Sequence, residues 1–492
     1  MSEAVEYVEG SPGWQRQQKQ RAETLRVVAA NGARIDDKRQ LPAPSNPMAC
    51  AREFVATEFA HAEHELLVQQ GGQFYRWDGT AWSALDDKDV RTMAYRFTEM
   101  ATFRYEAPDG KLSDKAWQPT QHKIADFIDA LRAVAHIPTS TASPSWFGAF
   151  PYAASDIVSC SNGLVHIPTR TLMSHSPRFY AHHAVPFPFN PNAPKPLYWL
   201  KFLRDLWGDD HESIDTLQEI FGYLAAGNTT QQKAFLIVGP KRGGKGTIAR
   251  VLKGMLGSHN VAGPTLSSLA ANFGLSPLIG KPVAIISDAR LGGSDTSIVA
   301  ERLLSVSGED TLTIDRKYRE PVTLQLPTRF LILSNELPRL ADASGALASR
   351  FIILMMNRSF YGKEDTGLTS KLLDELPGIF NWALDGAERL AERDRFVMPA
   401  ASQEAVRDLE DLGSPISAFV RDKCVIGPQH EVVVDALYAD WKAWCTENGR
   451  GVTSTQVFGR DLRAAFPGIK VRQPRDDGGG RFRVYQGIGK RE

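Results

Sequence analysis

The sequence predicts an α/β protein whose centre is a mainly parallel sheet. Three observations carry that expectation. Four short, continuous apolar runs, "KAFLIVG", "PVAIISD", "TRFLILSN" and "FIILMM", have the character of strands buried on both faces. Helical sequence lies between them, as the crossovers of a parallel sheet require. The first run ends in a glycine-rich turn that leads directly into a helical pattern.

Bulk properties set the frame. The chain has 492 residues, enough for several domains at roughly 100–200 residues each. Lys+Arg and Asp+Glu both number 57, a net charge of 0 that excludes a uniformly basic nucleic-acid coat. Any nucleic-acid surface must therefore be local. The cysteines Cys50, Cys160, Cys424 and Cys445 have no C-x-x-C spacing, which argues against a zinc ribbon and fits a reducing cytosol. The opening "MSEAVEYVEG" lacks the apolar centre of a signal peptide. No run approaches the ~18 apolar residues of a membrane span, so no membrane association is expected.

The elements can be taken in order. Residues 1–45 are polar and read as a flexible tail. Residues 46–190 mix patterns and read as an α+β region. "MACAREFVATEFAHAEHELLV" has helical spacing, "GGQFYRWDGTAWSAL" reads as a hairpin, and "DIVSCSNGLVHIPTRTLMSH" as short strands around "NG". His61 and His64, and the adjacent His182 and His183, lack nearby spaced carboxylates or cysteines, so they read as surface histidines. The proline-rich "PFPFNPNAPKP" marks a boundary. Two helices fill 191–225, and the strand-rich core spans 226–400. In 401–492, two helices stopped by glycine precede "IKVRQP" and "RFRVYQGI", which flank "RDDGGG". That order predicts a winged helix-turn-helix.

The glycine turn carries the chemistry. Gly239, Pro240, Lys241, Arg242, Gly243, Gly244, Lys245, Gly246 and Thr247 match the Gly-x4-Gly-Lys part of a phosphate-binding P-loop. Glycines let backbone N–H groups wrap a phosphate without Cβ clashes, and the helix N-terminus adds partial positive charge. Lys245 supplies a mobile cation for the β- and γ-phosphates of ATP. The Ser/Thr expected after the lysine as the Mg²⁺ ligand is instead Gly246. Thr247, one place later, or a water takes that role, and Thr247 is the preferred reading.

Three further positions suit a nucleoside triphosphatase. Asp288 ends the run "PVAIISD", where a Mg²⁺-binding carboxylate belongs. Its neighbours Ser287 and Ala289 are not acidic, so the base for water stays open among Asp288, Glu309 and Asp310. Asn335 ends the next strand and can hold the attacking water or the γ-phosphate. Arg350, before "FIILMM", suits an arginine finger acting in trans. Between Asp288 and Asn335, "TLTI" and "VTLQL" flank a tip with Arg316, Lys317, Tyr318 and Arg319. Cations beside an aromatic suit phosphates and stacked bases of single-stranded DNA. A solvated charged turn is the plainer reading of those residues alone.

This order of motifs resembles superfamily 3 helicases, and more closely the phage and plasmid primase-helicase branch that includes the poxvirus-type enzymes. The matching stretches are "GPKRGGKGT", "AIISDARL", "SGEDTLTIDRKYREP", "FLILSNELPRLADASGALASRF" and "ELPGIFNWALDG". "FYRWDGTAW" and "CSNGLVHIPTRTLMSHSPRFY" resemble that branch's N-terminal region. The likeness covers roughly residues 45–490. It implies an AAA+ core, with 191–225 as a helical collar, assembled as a homohexameric ring on single-stranded and forked DNA. ATP and Mg²⁺ would sit between subunits, on Lys245, Thr247, Asp288 and Asn335 of one and Arg350 of the next. Lys317 would lie in the central channel. The setting implied is the cytoplasm of a bacterial host. No zinc cluster or metal-binding carboxylate pair precedes the core, so priming is expected from a separate protein.

Two other readings compete. "GKGT" also occurs in nucleotide kinases, although those lack the order from Asn335 to Arg350. An ATP-switched replication initiator that loads on DNA without unwinding it shares nearly all the motifs.

Overall fold

The computed structural model describes residues 39–61, 64–287, 296–317, 319–338, 340, 346–475 and 481–491, with the backbone alone at 61, 319 and 320. These divide into two units. The first comprises residues up to 142 with 176–180, and the second 143–175 with 181 onward. Among the described residues, no helix is long and apolar enough to cross a membrane.

In the first unit, α1 (Pro47–Glu58) starts on Asn46, whose side chain accepts from the Ala49 N–H. Strands β1 (Leu67–Gln70), β2 (Gln73–Trp77) and β3 (Trp82–Leu85) form a meander. Asp78 shapes the turn after β2 by accepting from the N–H groups of Thr80 and Ala81. Then come α2 (Asp87–Glu99), the hairpin β4 (Thr102–Glu106) and β5 (Leu112–Ala116), and α3 (Gln121–Val134). Phe54, Phe97, Phe127 and Trp117 fill the core. Leu41 is buried in it and the Trp117 indole donates to the Pro42 carbonyl, so residues 39–45 pack here rather than trailing as a tail.

The second unit opens with β6 (Ile157–Cys160), β7 (Gly163–His166) and β8 (Thr171–Met173), an antiparallel sheet whose apolar side packs with the main core. Residues 143–175 thus belong with the chain beyond "PFPFNPNAPKP", on the far side of the boundary that the prolines suggested. Helices α4 (Leu197–Trp207) and α5 (His211–Ala226) lead to β9 (Ala234–Val238) and α6 (Lys245–Leu256). Next are β10 (Val261–Ala262), β11 (Val283–Ile286) and α7 (Thr296–Ser307). A hairpin, β12 (Thr311–Arg316) and β13 (Arg319–Gln325), precedes β14 (Arg329–Ser334), α8 (Ala346–Arg350), β15 (Phe351–Met355) and α9 (Leu376–Arg393).

Strands β9, β10, β11, β14 and β15 form one five-stranded parallel sheet in the order β10-β11-β14-β9-β15. Side chains alternate between its faces, as strand geometry requires. Phe235 and Ile237 point into a core with α4, α5, α6 and α9, while Leu236 and Val238 point into one with α7 and the base of the hairpin. The two helices of 197–226 therefore form part of the sheet's own cover. Helices α5 and α9 cross closely, because a Cβ on Gly222 would lie 2.2 Å from the Ala383 carbonyl oxygen. Glu219, 1% exposed, accepts there from Arg389 (2.8 Å) and Arg393 (2.5 Å).

Helix α10 (Gln403–Gly413) packs Ala405 and Leu409 against the main sheet's second core. Beyond it come α11 (Pro415–Lys423), β16 (Cys424–Val433), α12 (Val434–Glu447), α13 (Thr455–Ala465), β17 (Lys470–Arg472) and β18 (Val484–Lys490). Their sheet runs β16-β18-β17 over a core rich in aromatics, including Phe419, Trp441, Trp444 and Phe458.

Candidate functional site

The strand order places the centre of interest. β9 lies between β14 and β15, where the connections switch sides of the sheet, and crevices form at the carboxyl ends of strands at such a point. The glycine loop sits there. Its first residue is held by a hydrogen bond from the Gly239 N–H to the Ser334 carbonyl, 3.1 Å. A Cβ on Gly239 would lie 2.6 Å from the Met356 Cβ, so the loop leaves the sheet in a space only glycine fits. Gly244 caps α6 at φ +95° with no side-chain cap bond. The Thr247 and Ile248 N–H groups donate to the Gly244 carbonyl at 2.9 and 3.1 Å, and the positive end of the α6 dipole faces the loop.

Lys245 closes the loop from inside. Its ammonium donates to the carbonyls of Gly239 (2.5 Å) and Pro240 (2.8 Å), and to Oδ1 of Asn335 (3.1 Å). The loop is also tied to the segment after β15. The Arg242 carbonyl accepts from the Phe360 N–H at 3.1 Å, and Ser359 Oγ donates to the Lys241 carbonyl at 2.9 Å. Lys241 and Arg242 are exposed, and Arg242 faces Glu364 at 3.6 Å.

Thr247 lies one turn into α6. Its Oγ1 accepts from Arg250 Nη2 at 3.1 Å. Gly246 is exposed, and a Cβ there would meet only Arg250 Nη1, at 3.5 Å. The guanidinium thus covers the place where a residue-246 hydroxyl would have stood. Beside the loop runs a groove of about 380 Å³, lined by Lys245, Arg250, Lys253, Ile285 and Ser287 among others. Three cations on one wall favour an anionic occupant. Ser287, which precedes Asp288, lines this groove; Asp288 itself lies outside the described residues.

The donor set suits a polyphosphate: an uncapped helix start, a loop too tight for side chains, and an ammonium spanning its mouth. For a divalent cation, the described residues offer the Thr247 hydroxyl.

Arg350 is not part of this group within one chain. It precedes β15, whose Phe351 is level with Ala234 at the opposite end of β9. Five residues of β15 separate it from the loop edge, about 17 Å at the usual rise per strand residue. There Arg350 donates to the Gln232 side-chain oxygen at 2.7 Å. Lys233 is its neighbour. It donates to the Ser349 carbonyl at 2.7 Å, and burial followed by the Arg350 charge holds its pKa below the usual lysine range.

Glu309 and Asp310 also belong to that distant edge. The Gly308 carbonyl accepts from Gln232, and the charge of Glu309 reaches Tyr223 and Arg329. Neither acid approaches the loop of its own chain. Arg329, 3% exposed, donates to the carbonyls of Asn228 and Pro327 and so fixes the start of β14.

A family described as "D5 N terminal like" matches residues 53–208. A family of unknown function (DUF5906) matches residues 237–350, a span that opens within β9 and closes on Arg350. Among solved structures, the apo structure of the NrS-1 C-terminal region is similar at 13% identity and a TM-score of 0.48, over 86% of this chain and 96% of that one. An A-form apo structure of the same region shares 13% identity at a TM-score of 0.47, over 85% and 95%.

The hairpin of β12 and β13 is anchored by Ile314 and Val322, which are buried and paired across the strands. The register shifts between Ile314 and Arg316, and Arg316 then pairs with Arg319 about a tight turn. Lys317 is exposed on that turn. Tyr318 lies outside the described residues, and of Arg319 the backbone alone is described.

The sequence reading missed Arg250, Lys233 and Arg329. Arg250 was open to detection, because it stands three residues after Thr247 on the same helix face. Arg329 gave no such signal, since the Asn228 carbonyl that its Nε and Nη2 both reach lies 101 residues away.

Proposed function

We propose that this protein is an ATP-dependent DNA helicase of the superfamily 3 type, working as a homohexameric ring in phage, prophage or plasmid replication. The observation that carries the reading is Lys245, held inside an uncapped glycine loop and bonded to Asn335 on the adjacent strand. The similarity of residues 53–208 to the D5 N-terminal-like family supports it.

In this reading the loop of residues 239–247 and the start of α6 bind the phosphates of ATP. Lys245 exchanges its carbonyl partners for the β- and γ-phosphates. Asn335, freed from Lys245, orients the attacking water or the γ-phosphate. Thr247 and Asp288 would hold Mg²⁺, which neutralises charge on the β- and γ-oxygens when bound. Arg350 is too far away along its own sheet, so it stabilises the transferring phosphoryl group of a neighbouring subunit. Arg316, Lys317, Tyr318 and Arg319 contact the backbone and bases of single-stranded DNA. Forked DNA is the substrate, and a separate primase the expected partner.

ATP hydrolysis by the purified protein, with and without single-stranded DNA and beside Lys245→Ala, tests the reading. DNA-stimulated hydrolysis lost in the variant supports a DNA-driven motor, and strand separation on forked DNA completes the case. Hydrolysis indifferent to DNA points to the ATP-switched initiator. Phosphoryl transfer to a nucleoside monophosphate points to a kinase.

A further inference from the structure

We propose that the cleft between the proline-rich strap of residues 189–196 and helix α9 binds a guanine nucleotide, at a site separate from the glycine loop. The cleft has a volume of about 420 Å³, in the usual range for a ligand of that size. It lies within the second unit, and no residue of the loop lines it.

The sequence builds the cleft in a fixed shape. Helix α9 lines it with Gly378, Asn381, Trp382 and Asp385, the i, i+3, i+4, i+7 spacing of one helix face. Gly378 lets the strap come close, because a Cβ there would lie 2.3 Å from the Pro194 carbonyl oxygen. Asn381 Nδ2 donates to the Asn190 carbonyl at 2.9 Å. Asn162 and Phe189 exchange two hydrogen bonds, of 2.9 and 2.8 Å. Beyond the strap, the Glu375 carboxylate accepts from the N–H groups of Tyr198 and Trp199. Pro191, Pro194 and Pro196 fix φ along the strap, so a ligand has little left to order.

The lining has the chemistry of a base site. Phe189, Pro194, Pro196, Leu200 and Trp382 supply apolar walls. Asp385 and Arg170 supply a polar edge, joined at 2.8 Å through Oδ1 and Nη2. The same Nη2 reaches Glu388 at 3.2 Å. Among the described residues, Asp385 Oδ2 has no donor, and Arg170 Nη1 and Nε have no acceptor. The Asp385 side chain is 67% exposed, so an incoming donor can reach it. A carboxylate beside a guanidinium asks for adjacent donors followed by an acceptor. Guanine offers that edge in its N2 amine, N1–H and O6. Adenine turns the N1 lone pair toward the carboxylate instead. Lys195 is exposed at the cleft, and no carboxylate pairs with it among the described residues, which leaves it for a phosphate. Asn381 Oδ1 is buried in the lining and accepts from nothing, an unfilled acceptor of the kind that accompanies a missing bound group. An apolar peptide would fill the walls but leave the edge of Asp385 and Arg170 unmatched.

The test uses the full chain carrying Lys245→Ala, so that the glycine loop is disabled. Isothermal titration calorimetry compares GMP with IMP, which lacks the N2 amine, and with AMP. GMP should bind at least tenfold more tightly than IMP, the scale of one charge-assisted hydrogen bond, and AMP more weakly still. Adding Asp385→Asn should lower GMP affinity at least tenfold and raise the affinity for XMP, whose C2 carbonyl accepts from the new amide. A merely structural role for Asp385 does not produce that exchange. No GMP binding at millimolar concentration, or equal binding of GMP, IMP and AMP, would overturn the proposal. So would a folded Asp385→Asn protein with unchanged preference. Should Asp385→Asn fail to fold, Leu200→Trp, which fills the cleft, must abolish GMP binding, and binding retained there overturns the proposal equally. Every readout is binding in a chain whose ATP site is disabled, so failure of the helicase reading leaves this result intact.

Discussion

Lys245 and Asn335 meet at 3.1 Å, although 90 residues separate them in the chain. The bond joins the first turn of α6 to the end of β14 across the mouth of the glycine loop. Lysine is held where phosphate is expected, and asparagine is held by lysine. Replacing Asn335 by alanine should therefore lower kcat for ATP by about 10²–10³, the usual effect of removing one preorganised donor or orienting group. Nucleotide affinity should change far less. Lys245→Ala should weaken nucleotide binding itself. Steady-state kinetics beside titration with a fluorescent nucleotide separates the two effects.

Arg250 contacts the hydroxyl that the metal is expected to use. Thr247→Ala should raise the Mg²⁺ concentration needed for half-maximal nucleotide binding, and Thr247→Ser should restore it. Arg250→Ala should weaken binding of free, metal-less nucleotide about tenfold, the scale of one charge-assisted hydrogen bond. Equal binding by Arg250→Ala and the parent in chelator would show that the guanidinium serves the helix alone.

Arg350 and the loop lie at opposite ends of β9. Mixing Lys245→Ala with Arg350→Ala protein should recover part of the ATPase activity that neither retains alone, because mixed interfaces pair an intact loop with an intact arginine. No recovery at any ratio, with assembly confirmed by sedimentation, would remove Arg350 from the neighbour's site.

Glu219 is a buried carboxylate between two arginines on the facing helix. Glu219→Ala leaves Arg389 and Arg393 without it and should lower stability by about 2–3 kcal/mol. The lower part of the usual range applies because water reaches both guanidiniums, whose side chains are 35% and 33% exposed. A urea midpoint within error of the parent's would refute the assignment.

Burial, then the neighbouring His183, pulls the His182 pKa down to about 3. The unfolded chain binds this proton near pH 6.5, so stability from His182 is present above that value. It is lost as pH falls toward 3, by up to about 1.4 kcal/mol per pH unit. His182→Gln should flatten the decline in urea midpoint between pH 7 and pH 5. An unchanged decline would place its origin elsewhere.

Much of the fold was legible because burial on both faces leaves a plain mark. The runs ending at Val238, Ile286, Ser334 and Met355 became four strands of the sheet, since each is apolar throughout except for Arg329 and Ser334 at the two ends of β14. The fifth, Val261–Ala262, is too short for any pattern. Strand β16 escaped because Gly427 and Pro428 look like a break, whereas the strand absorbs them in a register shift between Ile426 and Glu431. His182 and His183 read as surface residues, yet both are largely enclosed, a matter of packing that composition does not record. The glycine loop was visible from residue types alone. The end of the sheet that holds Arg350 was implicit in its place before a parallel strand.

The position of Arg350 has a consequence for quantity as well as geometry. If the loop works only with a neighbour's arginine, each protomer carries halves of two sites and a whole copy of none. Turnover per molecule would then fall on dilution and rise with local crowding at a replication origin. Scarcity alone would keep such a protein idle, without an inhibitor, because ATP would find no finished site until enough copies had gathered.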